Sequence, residues 1–383
     1  MRVGFNARYL QKTPSGIEYY LLNLVNALTK IDADNEYFLF LNRRPFENSE
    51  MKDHLMGVGA KIYLSKWPSG SRLSRLVWDY AALKSDLKKK RIEILHGPAF
   101  SIPLVKVCPC VVTVHDLAFL YSPESYTRIN RYYLKTMLPL VIKRADMIIT
   151  VSESSKRDIA RSYSVPDAKI SVICPGIDRA FRVIDDPTAL AEVKRKYGIA
   201  GRFILNVSGL ITPRKNLTTL LKSFSELRRR KIIDHRLVIV GKPGWSYSQI
   251  FEMITRLNLS KDVIFTGSVP AEDLVALYNA AELFIFPSWY EGFGFPALEA
   301  MACGTPVVAS NNSSLPEIVG DAGLLVDPSG KEALSEAIGN ALGDKALRED
   351  LIRKGLIRAR LFDWEQTALK TLSVYKQVTG DGR

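Results

Sequence analysis

Short apolar runs alternate with longer stretches of helical spacing along the whole chain. In the first half the runs are Arg2–Ala7, Tyr37–Asn42, Lys61–Leu64, Ile92–His96, Val111–His115, Met147–Val151 and Ile170–Ile173. In the second they are Phe203–Val207, Arg236–Val240, Val263–Phe265, Leu283–Pro287, Pro306–Ala309 and Gly323–Val326. Short strands alternating with helices predict parallel sheets covered by helices on both faces. Thirteen strands are too many for one such open sheet, so the economical α/β solution is two doubly wound domains. The boundary is expected in Asp178–Gly201, which holds Ile184-Asp-Asp-Pro187 and Gly198. This gives domains 1–184 and 185–363. A final helix over about 364–383 is predicted from the spacing of Trp364, Ala368, Leu372 and Tyr375. No repeat of 20–50 residues and no low-complexity tract is visible. Ligands of open α/β sheets bind outside the carboxyl ends of the strands, so the site is expected in a cleft between the domains.

Composition narrows the class. With 47% hydrophobic and 24% charged residues, the chain reads as globular. Cys108, Cys110, Cys174 and Cys303 have neither zinc spacing nor partner histidines and read as reduced, mostly buried thiols. Met1-Arg-Val-Gly-Phe-Asn runs straight into a strand, with no signal-peptide pattern. No apolar run approaches the roughly 18 residues of a membrane span. A cytoplasmic protein is expected.

The net charge of +13 is uneven. Residues 1–184 carry 28 Lys and Arg against 17 Asp and Glu, and residues 185–383 carry 25 against 23. The basic half is expected to face a polyanion, which could be an anionic membrane surface, a lipid diphosphate or nucleic acid; a solvated basic surface is the plainer alternative. Trp67, Leu73, Leu76, Val77 and Trp78 mix with Lys66, Arg72 and Arg75. That stretch suits an interfacial segment or acceptor-binding lip, or else an exposed loop followed by a core-facing helix. No RNP-like motif or basic recognition helix accompanies the charge, and Lys84–Arg91 reads as a solvated helix end, so no nucleic-acid partner is expected.

The chemistry concentrates in a few segments. Glu291-Gly-Phe-Gly-Phe-Pro-Ala-Leu-Glu299 sets two carboxylates eight residues apart, after a strand, across a glycine-rich turn and into a helix. Such a turn presents backbone N–H groups to a phosphate. A carboxylate further along can accept from sugar hydroxyls; two solvated glutamates on an ordinary βα unit are the rival reading. Arg214 and Lys215 follow the strand Phe203–Val207 and a turn Ser208–Pro213, where a fork and a point charge can cover two phosphates. Gly16, ahead of the helix Ile17–Leu28, is as consistent with a turn glycine as with a ligand contact; Ser15 precedes it. His115 ends a strand, a position open to a ligand or to a structural histidine. His96 reads as structural, and His54 and His235 complete the four histidines.

With Val112-Thr-Val-His-Asp116, Ile148-Ile-Thr-Val-Ser-Glu153, Pro175-Gly-Ile-Asp178, Pro213-Arg-Lys-Asn216 and Met301-Ala-Cys-Gly-Thr-Pro-Val-Val-Ala-Ser310 in order, the Glu-x7-Glu segment resembles the donor-site signature of retaining glycosyltransferases. These have two Rossmann-like domains (the GT-B fold; group 1, family 4). The closest likeness is to mannosyltransferases of O-antigen and lipopolysaccharide assembly. The resemblance implies that the final helix returns to the first domain. It also implies that Arg214 and Lys215 hold the donor diphosphate. His115 and Glu291 would meet the transferred sugar, and Glu299 the ribose. Gly16, Ser208, Gly209, Thr266, Gly267, Val269, Gly292, Phe293, Gly294 and Leu298 would complete the donor site. Many relatives carry Glu where this chain has Thr212. The favoured reaction moves mannose from GDP-mannose to a lipid-diphosphate-linked bacterial glycan, with other nucleotide sugars open as donors. The resemblance also implies a front-face substitution, in which the leaving phosphate takes the acceptor's proton and neither a metal nor another cofactor is expected. Peripheral contact with an anionic membrane is the further expectation.

Rival classes are less well supported. The glutamates lack a reason to stand the about 5–5.5 Å apart of a retaining hydrolase. Asp32-Ala-Asp34 reads as a helix end rather than a metal site. The first strand is followed by Asn6-Ala-Arg-Tyr-Leu rather than Gly-x-Gly-x-x-Gly, against an NAD-dependent oxidoreductase. A nucleotide-sugar epimerase of related architecture stays open.

Overall fold

The computed structural model describes residues 1–10, 16–42, 57, 59–67, 72–210, 212–242, 244 and 247–380. All thirteen apolar runs form strands: β1 Arg2–Asn6, β2 Glu36–Leu41, β3 Lys61–Leu64, β4 Ile94–Gly97, β5 Cys110–Val114, β6 Met147–Thr150, β7 Ile170–Val172, β8 Phe203–Leu210, β9 Arg236–Lys242, β10 Val263–Gly267, β11 Leu283–Phe286, β12 Val307–Ser310 and β13 Gly323–Val326. The pairing is parallel throughout. Strands covered on both faces can be apolar at every position, and β11 is buried along its whole length.

Two sheets result, with strand orders β3-β2-β1-β4-β5-β6-β7 and β10-β9-β8-β11-β12-β13. The six strands of the second repeat the order of the first six of the first. This is a duplication of topology that the sequence does not display as a repeat. In each sheet the chain first steps outward one way, then returns and steps the other way. Right-handed crossovers therefore put helices on both faces. The direction of winding reverses between β1 and β4, and again between β8 and β11.

The chain divides into two compact units. The first comprises Met1–Leu117, Arg128–Gly176 and Asp363–Arg383, and the second Ala118–Thr127 with Ile177–Phe362. The division falls after Gly176 rather than after residue 184, and a short segment of the first half belongs to the second unit. A Cβ on Gly176 would stand 2.2 Å from the backbone nitrogen of Trp364, so only glycine lets the two strands of chain pass there. Helix Trp364–Thr379 is capped by Asp363, whose carboxylate accepts from the Glu365 N–H at 3.0 Å. It packs on helix Gly16–Ile31 within the first unit.

Two local expectations change. β8 continues to Leu210, and only Pro213–Lys215 forms the turn. Trp78 is fully buried and starts a π-helical turn, Trp78–Ala82, so it belongs to the core rather than to an interfacial segment. Trp67 is exposed. The side chains of Arg72, Leu73 and Arg75 lie outside the described residues, as do Ser15 and His54. Asp32 accepts from the Asp34 N–H just beyond helix Gly16–Ile31, a turn at a helix end. No helix among the described residues is long and apolar enough to cross a membrane.

Candidate active site

The crevice at a reversal of strand order is where α/β sheets collect ligands. In the second unit that point lies between β8 and β11, and the residues after both strands converge on it. After β8, Pro213–Lys215 make one 3₁₀ turn, closed by Asn216 at φ 53°. Asn is among the few residues other than Gly that tolerate this left-handed conformation. The Asn216 amide donates to the carbonyls of Pro287 at 3.0 Å and Pro328 at 2.7 Å, tying the end of β8 to the end of β11.

The turn aims its two cations at Glu291. Lys215 Nζ lies 2.7 Å from Glu291 Oε1, and Arg214 Nη1 lies 3.2 Å from Oε2 and 3.0 Å from the Tyr290 carbonyl. Lys215 Nζ also stands 4.9 Å from the centre of the Phe286 ring. Glu291 is itself held at both ends of its peptide. Its N–H donates to Ser313 Oγ at 3.0 Å, and the Ser314 hydroxyl shares its proton between the carbonyls of Glu291 and Phe293. The Arg214 N–H donates to Ser125 Oγ at 3.1 Å, and its carbonyl accepts from the Trp289 N–H. Lys215 and Glu291 are buried. Burial alone would raise the Glu291 carboxyl, but Arg214 and Lys215 outweigh it and hold the group below its ordinary range. The three side chains together carry one net positive charge. Fixed cations in a poorly hydrated crevice can stabilise developing negative charge with little reorganisation.

The glycine-rich turn continues into helix Phe295–Ala302. Gly294 sits at φ 115°, a conformation that favours glycine, and a Cβ there would come 2.7 Å from Leu315 Cδ2, so the leucine side chain would have to shift. Phe293 is buried against the rings of Phe295 and Phe362. Leu298 is wholly buried, and its N–H bonds to the Gly294 carbonyl. Glu299 has a different partner from Glu291, the Tyr278 hydroxyl at 2.8 Å. Burial, supplemented by the charge of Asp178, outweighs that hydrogen bond and lifts the Glu299 carboxyl to about 7.

The remaining positions lie at neighbouring strand ends. Ser208 is buried and donates to Asn206, whose amide crosses to the Ile285 carbonyl on β11. Gly209 pairs with Gly241 after an irregularity in the register of β8 and β9. Thr266 and Gly267 end the edge strand β10, where the Thr266 hydroxyl donates to the Gly267 carbonyl, and Val269 follows half-buried. Thr212 is buried directly before the cationic turn.

His115 and Gly16 belong to the first unit. Gly16 opens helix Gly16–Ile31, is exposed, and has open space where a Cβ would sit. His115 Nε2 lies 2.8 Å from the Pro98 carbonyl. A carbonyl only accepts, so Nε2 carries the proton and Nδ1 the lone pair. Burial lowers the pKa of this imidazole against the opposing pull of Pro98 and Asp116. The Tyr20 ring meets it edge-on at 4.8 Å.

Behind His115 runs a buried chain that sequence reasoning did not foresee. His96 Nδ1 is 2.6 Å from the Tyr375 hydroxyl, and Nε2 is 2.7 Å from Thr113 Oγ1, which in turn is 3.3 Å from the Tyr20 hydroxyl. Burial drives the His96 pKa down to about 3, so it stays neutral and structural. Nearby, Arg8 Nε is 2.6 Å from Asp79 Oδ2, and Asn6 donates to Oδ1 at 3.0 Å. Among the described residues no group of three His, Cys, Asp or Glu side chains is placed to hold a metal ion. Cys108, Cys110 and Cys303 are buried free thiols.

The family profile described as Glycosyltransferase Family 4 matches residues 14–181, and that of Glycosyl transferases group 1 matches residues 191–357. The chain is 35% identical over 283 residues to O-antigen chain mannosyltransferase B of Escherichia coli, an alignment covering 74% of each protein. The chain belongs to the glycosyltransferases. A second relative is the O-antigen chain mannosyltransferase RfbU of Salmonella typhimurium, 28% identical over 341 residues, covering 88% of this glycosyltransferase and 89% of RfbU. Among solved structures, that of Anabaena HepE in complex with UDP and glucose superposes with a TM-score of 0.78 at 21% identity, covering 98% of this chain and all of the other. The two-sheet architecture of the glycosyltransferase is therefore the GT-B fold.

Proposed function

We propose that this glycosyltransferase moves mannose, with GDP-mannose the favoured donor, to a hydroxyl of a lipid-linked bacterial glycan with retention at the anomeric carbon. The observation that carries the reading is the Arg214–Lys215–Glu291 cluster at the β8/β11 reversal. The names of the two O-antigen relatives support the sugar and the class of acceptor. The bond between the anomeric carbon and the diphosphate oxygen breaks, and the departing diphosphate gains charge. Arg214 and Lys215 stabilise that charge, while Glu291 keeps both cations in position and accepts from sugar hydroxyls. The acceptor oxygen bonds to the anomeric carbon on the face the phosphate leaves, and its proton passes to the leaving phosphate. The two cations take the role that a divalent ion has elsewhere, so no metal is needed. Glu299, once ionised, accepts from the ribose hydroxyls. The neutral His115 accepts a hydroxyl of the transferred sugar at Nδ1.

The test is transfer from a panel of nucleotide sugars, GDP-mannose and UDP-glucose included, to lipid-linked glycan extracted from bacterial membranes, with EDTA present. Mannosyl transfer from GDP-mannose in EDTA is the expected result. Transfer only from a UDP-sugar would replace the donor. Activity that returns only with a divalent ion would overturn the metal-free mechanism.

A further inference from the structure

One short piece from the first half of the chain lies in the second unit. Ala118–Thr127 belongs there, while Leu117 before it and Arg128 after it belong to the first. The piece has its own internal structure. A helical turn, Ala118–Tyr121, is followed by a 3₁₀ turn, Pro123–Ser125. The Ser122 N–H donates to the Ala118 carbonyl at 2.7 Å, and the Ser125 N–H donates to the Ser122 carbonyl at 3.0 Å. Phe119 is buried with its ring edge-on to that of Tyr126, and Ser122 and Ser125 are buried as well. Packing and hydrogen bonds of this kind fix where the Ser125 hydroxyl stands.

Two contacts tie this piece to the cationic turn Pro213–Lys215. The first N–H groups of a helical turn point away from it and take acceptors from outside. Here Pro213 brings no N–H, the Lys215 N–H reaches the Thr212 carbonyl at 3.0 Å, and the Thr212 side chain makes no capping bond. The Arg214 N–H donates to Ser125 Oγ at 3.1 Å, so the turn takes a cap from 89 residues earlier in the chain. The second contact is Tyr121, whose ring stacks on that of Tyr290 with centres 5.2 Å and planes 11° apart. Tyr290 is the residue whose carbonyl accepts from Arg214 Nη1. Arg214 is therefore gripped from two sides. Ser125 holds its N–H, and Trp289–Glu291 hold its carbonyl and guanidinium.

We propose that Ser125 is a positioning residue for Arg214, orienting the peptide from which the guanidinium reaches the departing diphosphate. The proposal rests on the reading of Arg214 as a diphosphate ligand. Displacing a catalytic group by about 1 Å can cost on the order of 10²-fold in rate. Ser125→Ala leaves the guanidinium its bonds to Tyr290 and Glu291, so a smaller loss, about tenfold, is expected. The loss falls on kcat rather than KM, because the diphosphate gains its charge only as the bond breaks.

Transfer kinetics are compared for the wild type, Ser125→Ala, Ser125→Thr, Arg214→Ala and the double variant Ser125→Ala with Arg214→Ala, each checked for folding by thermal unfolding. Ser125→Ala should lower kcat about tenfold and leave the donor KM within about threefold. Ser125→Thr keeps the hydroxyl and should stay within about threefold of the wild type. Once Arg214 is alanine, Ser125→Ala should cost less than about twofold more. If Ser125→Ala does not fold, Ser125→Cys, a weak acceptor of similar size, takes its place. Amide exchange needs no substrate and gives the second readout: the Arg214 N–H should exchange at least about tenfold faster in Ser125→Ala than in the wild type. Unchanged exchange would overturn the proposal. So would full activity of Ser125→Ala beside an impaired Arg214→Ala, or an equal loss with and without Arg214. An Arg214→Ala variant as active as the wild type would overturn the reading of Arg214 itself, and the proposal with it.

Discussion

The two units share a strand order but use their crevices differently. In the second, the reversal between β8 and β11 gathers two cations and a carboxylate within hydrogen-bonding distance. In the first, the polar groups near the reversal between β1 and β4 form a buried chain around a neutral histidine, Tyr375–His96–Thr113–Tyr20. The strongly basic unit holds this uncharged chain and one buried ion pair, Arg8–Asp79, at the end of β1, whereas the nearly neutral unit holds two cations around a single carboxylate. Net charge of a domain therefore does not locate the charged site. It describes the outer surface, while placement at strand ends describes the chemistry.

The sharpest way to break this comparison is to remove charge from the second crevice. Lys215→Ala should reduce transfer about 10²–10³-fold, because a preorganised cation at the leaving group is lost. A loss below about threefold in a folded variant would end the assignment of Lys215 to the diphosphate. In the first crevice the corresponding change should act on stability. His96→Phe leaves the Tyr375 hydroxyl without its partner and Thr113 with Tyr20 alone, and should cost about 2–4 kcal/mol in urea unfolding; a cost under about 0.5 kcal/mol would mean that the chain is not structural.

Glu299 gives a pH signature. With its pKa raised from 4.5 to about 7 in the folded state, it binds its proton more tightly folded than unfolded. Its contribution is full below pH 4.5 and is lost as pH rises through 7, at most about 3 kcal/mol in all. Glu299→Gln should therefore flatten the decline of thermal stability between these pH values. Parallel wild-type and variant curves would show that Glu299 does not titrate there. Smallest of the four, Gly294→Ala should cost about 1–2 kcal/mol through its φ and the approach of Leu315. A neutral result in calorimetry would mean that the turn relaxes.

Much of this was legible in the sequence. All thirteen apolar runs are strands because parallel strands need an unbroken apolar stretch, which is a local signal. Arg214, Lys215, Glu291 and Gly294 stood out because strand-turn-helix segments place them by short-range geometry. What stayed hidden depends on long-range contact. Glu291 reads in sequence as a sugar ligand, yet here it is the anchor of both cations, 76 and 77 residues away along the chain. Ser313 and Ser314, which fix it, carry no motif of their own. Tyr375 reaches His96 across 279 residues, so only the folded helix reveals the partnership. For the stretch around Trp78 the sequence left an interfacial segment and a core-facing helix both open, and the burial of Trp78 decides for the core.

Isothermal titration of GDP into the wild type and Lys215→Ala, each checked for folding by thermal unfolding, tests the central claim most directly. The account predicts that GDP binds the wild type and that the variant binds at least about tenfold more weakly, since a charge-assisted contact to the diphosphate is lost. Equal affinity of the two proteins for GDP would contradict it.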